Sequence, residues 1–167
     1  MELIGEIINA IFFILPAYIA NVTALIFGGG LPLDFGVHFI DKKRLIGDGV
    51  TWKGTLAGTF FGTLTGFVEG LLVGEVMHRT TLGFLLGFGA LLGDAFGSFI
   101  KRRLGIERGK PAPILDQLDF VAGALLLGSI VTLPPAEVIL FVIIITIILH
   151  IFTNIIAYIL KIKDVWY

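Results

Sequence analysis

Long apolar runs separated by short polar stretches dominate the chain. A helix needs roughly 20 mostly apolar residues to cross the hydrocarbon core of a bilayer. Five runs come to about that length: 3–27, 53–74, 80–100, 117–133 and 136–160. The pattern predicts an all-α polytopic integral membrane protein with five transmembrane helices. All of 1–167 reads as one membrane-embedded domain, with polar loops at 28–52 and 101–115.

Composition leaves no soluble alternative. Of the 167 residues 56% are hydrophobic and 15% charged, with a mean hydropathy of +0.98. A soluble domain of this size has no core large enough to hide that surface, so lipid must cover it. There is no cysteine, which excludes disulfides, thiolate metal sites and thiol redox chemistry. The opening Met1-Glu2 lacks a basic region, so no cleaved signal peptide is expected.

Charge placement sets an orientation. Lys42, Lys43 and Arg44 lie in the first loop, with Lys53 at its edge. Lys101, Arg102, Arg103, Arg108 and Lys110 lie in the second, and Lys161 and Lys163 in the tail. The turn at 75–79 holds Arg79 alone, and Pro134-Pro135 holds no cation. Positive residues favour the cytoplasmic side. The N-terminus is therefore expected outside, and the C-terminus and both long loops in the cytoplasm.

Small residues predict how the spans pack. Glycine recurs at 54, 58, 62, 66, 70 and 74 of the second run. A four-residue step overshoots a helical turn by about 40°, so this ridge winds around the helix and should serve more than one neighbour. Small residues let helix backbones approach closely in lipid, which casts the second span as the central packing post. Gly83, Gly87, Ala90, Gly93 and Gly97 give the third span a face expected to pack on the second. Glu69 reads as an interfacial carboxylate near the outer end. Pro16 is expected to kink the first span. Asn21 belongs either to an interhelical hydrogen bond or to the rim of a cytoplasmic site. The loop at 28–52 mixes Asp34, Asp41 and Asp48 with Lys42-Lys43-Arg44 and with Phe35, Val37, Phe39 and Ile40. An ordinary solvated loop carries such charges, but the apolar residues suggest a segment lying at the interface over a site.

Candidate chemistry gathers at one membrane face. Asp94 lies about 10 Å inside the cytoplasmic boundary of the third span. A carboxylate at that depth is costly unless paired or solvated, so it is a functional candidate by default; a structural pairing with Lys101 is the plainer alternative. Asp94, Ser98 and Lys101 are spaced i, i+4, i+7 and share a helix face. Asp116 and Asp119, spaced i, i+3, project together, either as first-turn capping residues or toward Asp94. Three carboxylates beside Lys101, Arg102 and Arg103 suit Mg²⁺ and a polyphosphate, and so phosphoryl or nucleotidyl transfer. Neither G-x-x-x-x-G-K-[ST] nor a strand-borne G-x-G-x-x-G is present. A nucleotide would therefore bind the bundle itself, with a lipid phosphate as natural co-substrate. Nothing calls for a nucleic-acid partner, and oligomeric state is not legible.

Several motifs carry a resemblance. Gly93-Asp94, Ser98-Phe99-Ile100-Lys101-Arg102 and Leu115-Asp116-Gln117-Leu118-Asp119 resemble the signature of the phosphatidate cytidylyltransferases, the CDP-lipid synthases. Gly47-Asp48-Gly49-Val50-Thr51-Trp52-Lys53-Gly54 resembles that family's second motif, with Val50 in place of a lysine. The blocks at 16–21 and 28–36 look like the archaeal branch, the CDP-archaeol synthases. The His-Gly-Gly usual before Leu115 is absent, and Gln117 replaces an arginine, so neither role is carried over. These departures favour an isoprenoid ether lipid over phosphatidate.

The resemblance implies a reaction at the cytoplasmic face of the cell membrane: CTP and unsaturated archaetidic acid give CDP-archaeol and pyrophosphate. It implies that Asp94 and Asp119, supported by Asp116, hold Mg²⁺. Lys101, Arg102 and Lys53 would neutralise phosphates, Ser98 would join the substrate-binding face, and Asp34, Thr51 and Trp52 would shape the nucleotide pocket. The rival is a small transporter or ion-binding protein using Asp94. Such proteins commonly show internal repeats, whereas these five spans are unlike one another. The Asp-Gly-x-x-Ala-Arg run of CDP-alcohol phosphotransferases is also absent.

Overall fold

The apolar runs become five helices in the computed structural model of the protein: α1 (Glu2–Ile26), α2 (Trp52–Val73), α3 (Val76–Arg103), α4 (Leu115–Gly128) and α5 (Ala136–Ile159). The structure describes residues 2–107, 110, 112, 114–159 and 161; Arg108, Pro111, Pro113 and Lys163 lie outside them. The described residues form no regular strand, although Pro32 and Thr51, and His38 and Arg44, pair as isolated β-bridges in the first loop.

Two boundaries differ from expectation. The turn expected at 75–79 shrinks, because Gly74 takes a left-handed conformation (φ 77°) and its N–H closes α2 on Gly70 O. Arg79 consequently sits in the first turns of α3. At the other end, α4 has 14 residues, about 21 Å at 1.5 Å per residue, against a hydrocarbon core of roughly 30 Å. The chain leaves the helix at Ser129, whose hydroxyl donates to Leu126 O (2.8 Å), and reaches Pro134-Pro135, which cannot extend a helix. Among the described residues, α1, α2, α3 and α5 are each long and apolar enough to cross a membrane.

The glycine ridge of α2 does wind from one neighbour to the next. A Cβ on Gly54 or Gly58 would meet the carbonyls of Ala24 or Ala20 on α1, at 2.7 and 2.6 Å. One on Gly66 or Gly70 would strike the backbone of α3 instead, at Gly83 or Val76. Yet α2 is not the central post. Among the described residues it touches α1 and α3, whereas α3 touches α1, α2 and α4, and α1 touches all four others. The far side of α2 is an exposed apolar surface that includes Phe60, Leu71 and Leu72, suited to lipid. The small residues of α3 also divide: Gly83 and Gly87 meet α2, while Gly89, Gly93 and Gly97 meet α4.

The core lies among α1, α3, α4 and α5, with Ile14, Leu82, Leu86, Val121 and Val142 fully buried. Tyr18 and Thr146 hydrogen-bond at 2.7 Å and tie α1 to α5. Helix α1 runs through Pro16 without interruption. Glu69, near the end of α2, faces the bundle and not solvent: it is 4% exposed and interacts electrostatically with Arg79 of α3. A buried carboxylate is tolerated when a cation neutralises it, and the early start of α3 is what supplies that cation.

Candidate active site

The first loop forms one wall of the site. Gly29 and Gly30 adopt φ of +103° and +78°, a region open to glycine, and turn the chain sharply out of α1. Thr51 is the N-cap of α2, its Oγ1 accepting from Gly54 N and Gly29 N, each at 3.2 Å. Leu33 N donates to Val50 O (2.9 Å) and Trp52 N to Leu31 O (3.1 Å). These bonds hold 49–51 over a cavity of about 290 Å³ lined by Asn21, Gly49, Val50, Thr51, Thr55 and Asp94.

The opposite wall comes from the close approach of α3 and α4. A Cβ on Gly93 would overlap the Asp119 carbonyl, and one on Gly97 would overlap the Asp119 side chain. Glycine at both positions thus lets Asp119 stand beside Asp94. Asp94 interacts electrostatically with Lys101, Asp116 and Asp119. Lys101 Nζ pairs with Asp116 Oδ1, and Asp116 Oδ2 accepts from Ala112 N (2.9 Å). Asp119 Oδ1 accepts from Phe120 N (2.7 Å). Asp116 is thus engaged at both oxygens, by Lys101 and by the Ala112 amide. Among the described residues no three acidic or imidazole groups form a closed metal cage; the carboxylates come together, but Asp116 is turned to Lys101. Asp94 accepts no hydrogen bond from a described residue.

Asp119 has a second neighbourhood. It lines an apolar cavity of about 770 Å³ between α3 and α4, with Phe96, Ile100, Leu118, Ala122 and Leu126. The paired carboxylates therefore stand between a polar space on one side of α3 and an apolar groove on the other.

The remaining predicted residues lie around the loop. The Asp34 side chain is fully buried (0% exposed). Its Oδ1 accepts from Arg44 Nη2 (2.8 Å) and Gly36 N (3.0 Å), its Oδ2 from Ile46 N and Gly47 N (2.9 Å each). Burial pushes this carboxyl upward, but the Arg44 guanidinium and the three amides outweigh it and hold the acid well below the usual carboxylate range. Both oxygens are thus already occupied, so Asp34 is not free to touch a ligand. Trp52 is partly exposed and tilts against Phe35 at 5.7 Å. Lys53 is exposed, its stem running past Gly30. Ser98 is half-buried. Arg102 Nη1 donates to Ile106 O (2.7 Å), and its Nε faces Gly47.

Two loop builders were legible only as orientation charges. Arg44 bridges Asp34 and Asp48, both at 2.8 Å. Arg103 pairs with Asp41 (3.1 Å), donates to Arg44 O (2.6 Å) and lies between the Phe39 and Phe99 rings, 4.9 and 4.8 Å from their centroids. The seven-residue spacing of Asp34, Asp41 and Asp48 around the cations was the available signal. Asn21 does reach the site rim. Thr55, one turn beyond the α2 N-cap, reaches it too and carried no distinguishing signal.

Acidic groups of two adjoining helices, set between a partly polar cavity and an apolar groove in a membrane bundle, are an arrangement suited to an intramembrane enzyme. The chain superposes with a TM-score of 0.83 on a solved structure described as an intramembrane enzyme for archaeal membrane lipids biosynthesis, at 44% identity, covering 89% of this chain and 94% of that one. A sequence model of the CarS-like CDP-archaeol synthases matches residues 2–167. The chain belongs to the CDP-archaeol synthase family, membrane cytidylyltransferases of archaeal lipid synthesis. It is 60% identical to the CDP-archaeol synthase of Methanothermobacter thermautotrophicus, over 97% of this chain and 95% of that one. Identity to the CDP-archaeol synthase of Methanocaldococcus jannaschii is 53%, over 95% and 96%.

Proposed function

We propose that the protein transfers CMP from CTP to an isoprenoid ether lipid phosphate, unsaturated archaetidic acid, giving CDP-archaeol and pyrophosphate. The observation that carries this reading is the position of Asp94 and Asp119 between two unlike cavities. A polar space on one side suits a nucleotide, and an apolar groove on the other suits isoprenoid chains. The lipid phosphate would then meet the α-phosphate of CTP beside the carboxylates. A phosphate oxygen of the lipid forms a bond to the α-phosphorus, and the bond from that phosphorus to the bridging oxygen breaks, releasing pyrophosphate. The attacking phosphate is already ionised, so no general base is needed.

The donor set fits a hard divalent cation, since it is all carboxylate oxygen and Asp94 has no competing protein donor among the described residues. Asp94 and Asp119, with Asp116 in support, would hold Mg²⁺, which when bound would neutralise charge building on the phosphates. Lys101, now paired with Asp116, would turn to a substrate phosphate, with Arg102 and Lys53 beside it. Thr51 and Trp52 would contact the nucleotide, and Ser98 would lie on the substrate-facing side of α3. The site would face the cytoplasm of the cell membrane, the side on which the loop cations and CTP are found together.

The test is direct. Purified protein with Mg²⁺, CTP and phosphorylated unsaturated archaeol should release pyrophosphate and form a CDP-lipid. Absence of release in the full mixture, or ion flux in liposomes without nucleotide, would overturn the reading.

A further inference from the structure

The hydrogen-bond pattern of the first loop separates Asp34 from the groups that would meet substrate. Its carboxylate has four donors, two on each oxygen, and they come from three places: the turn at Gly36, the cation Arg44, and the adjacent amides of Ile46 and Gly47. Residues 37–45 form a small hairpin above this knot, with Leu45 N on Val37 O (2.9 Å) and Phe39 N on Lys43 O (2.8 Å). Below it, 31–33 pair with 50–52. The carboxylate is therefore the tie that joins the base of the hairpin to the 49–51 segment of the cavity wall.

The neighbours of the knot are functional candidates. Gly47 has φ +106°, and the direction its Cβ would take points at Arg102 Nε, 3.5 Å away. Arg102 is itself held by Ile106 O. Asp48, next in the chain, meets the same Arg44 Nη2, at 2.8 Å. A buried carboxylate deprived of one partner is strongly unfavourable, so loss of any one donor should loosen the others.

We propose that Asp34, with Arg44 as its partner, is a positioning residue for the nucleotide: it holds the 47–51 wall and Arg102 in place beside Asp94. The inference rests on the reading of that cavity as the CTP site. It predicts an asymmetry between the two substrates. The lipid groove lies between α3 and α4, away from the knot, so loosening the loop weakens CTP and spares the lipid. A merely structural role would move both.

The full-length protein in detergent is compared with its Asp34→Asn, Arg44→Gln and Arg44→Lys variants. The readouts are KM for CTP, KM for the lipid phosphate, and amide hydrogen exchange at 46–51. Asp34→Asn and Arg44→Gln should raise the CTP KM about tenfold or more, the usual scale for residues that orient a site. The lipid KM should stay within about twofold, and exchange at Ile46 and Gly47 should quicken. Arg44→Lys, which keeps the charge, should recover most of the loss. If Asp34→Asn does not fold, Arg44→Gln, on a partly exposed side chain, carries the test. An unchanged CTP KM, a parallel rise in both KM values, or equal effects of Gln and Lys at 44 would overturn the proposal. Failure of the wild type to use CTP would instead overturn the functional reading, while hydrogen exchange would still report on the knot.

Discussion

The two halves of α3 use the same sequence device for different ends. Toward its start, Gly83 and Gly87 lie against Gly66 and Gly62 of α2, and glycine meets glycine with backbone on both sides. Toward its C-terminal end, Gly93 and Gly97 lie against Asp119 of α4, and glycine meets a carboxylate-bearing residue. The first contact lets two helices close on one another. The second, built by the same absence of side chains, brings a second acid up to Asp94. A row of small residues in a membrane helix is thus not one feature. What it does depends on what the partner helix presents at the same depth.

That contrast is most sharply broken at Asp94. Asp94→Asn keeps the size of the side chain and removes the charge the site needs. Turnover should fall by at least about 10²–10³-fold, the scale for losing one preorganised charge-stabilising group, while thermal stability is retained. Steady-state kcat and a melting curve on the same preparation check this. Retained activity would remove Asp94 from the reacting centre and with it the functional meaning of the C-terminal half.

The glycines themselves come next. Gly97→Ala places a methyl on the Asp119 side chain, whose carboxylate can turn aside although its Cβ, 2.8 Å away, cannot, so activity should fall by about 10–100-fold with some loss of stability. Gly66→Ala places its methyl on backbone, the Arg79 carbonyl and Gly83, which cannot rotate aside. Overpacking of this kind costs about 1–3 kcal/mol and should lower Tm by several degrees, with specific activity of the folded fraction unchanged. Parallel Tm and kcat measurements on the pair decide the matter. Should both variants lose stability alike and activity alike, the two halves of α3 would not differ.

How much of this was legible beforehand follows from the same physics. Apolar runs announce helices because lipid demands them, so all five appeared with boundaries near those observed. Asp94 announced itself because a carboxylate at that depth is costly. The four-residue glycine period announced close packing, but not that α1 and α3 rather than α2 would sit among the neighbours: spacing tells which residues share a face, not which helix arrives there. The burial of Glu69 was hidden for a related reason, since its cation, Arg79, was placed in a turn until Gly74 shortened it. Asp34 was expected to shape the nucleotide pocket, yet its four donors hold it inside the loop; three of them are backbone amides, which leave no trace in side-chain identity.

The smallest effect tests the loop, where order comes from charge rather than shape. Asp34 is held well below the ordinary carboxylate range despite its burial, chiefly by Arg44 and the amides of Gly47, Ile46 and Gly36. A group whose folded pKa is depressed contributes stability that is fully present above its unfolded value, about 4, and is lost as pH falls through the folded value. Arg44 and Arg102, the cations beside the knot, stay charged throughout. Hydrogen exchange at Ile46 and Gly47 should therefore not change between pH 7 and 5 once the intrinsic rate is corrected. Below about pH 4 it should quicken progressively, reflecting a loss on the order of 1–3 kcal/mol of local stability. The α2–α3 contact of Gly62 with Gly87, a turn or more from Glu69 and Arg79, is neutral backbone on both sides, and exchange there should be far less responsive. Loosening of the loop already at pH 6 would mean that a group other than Asp34 governs it, and that this end of the bundle is ordered by something besides the knot.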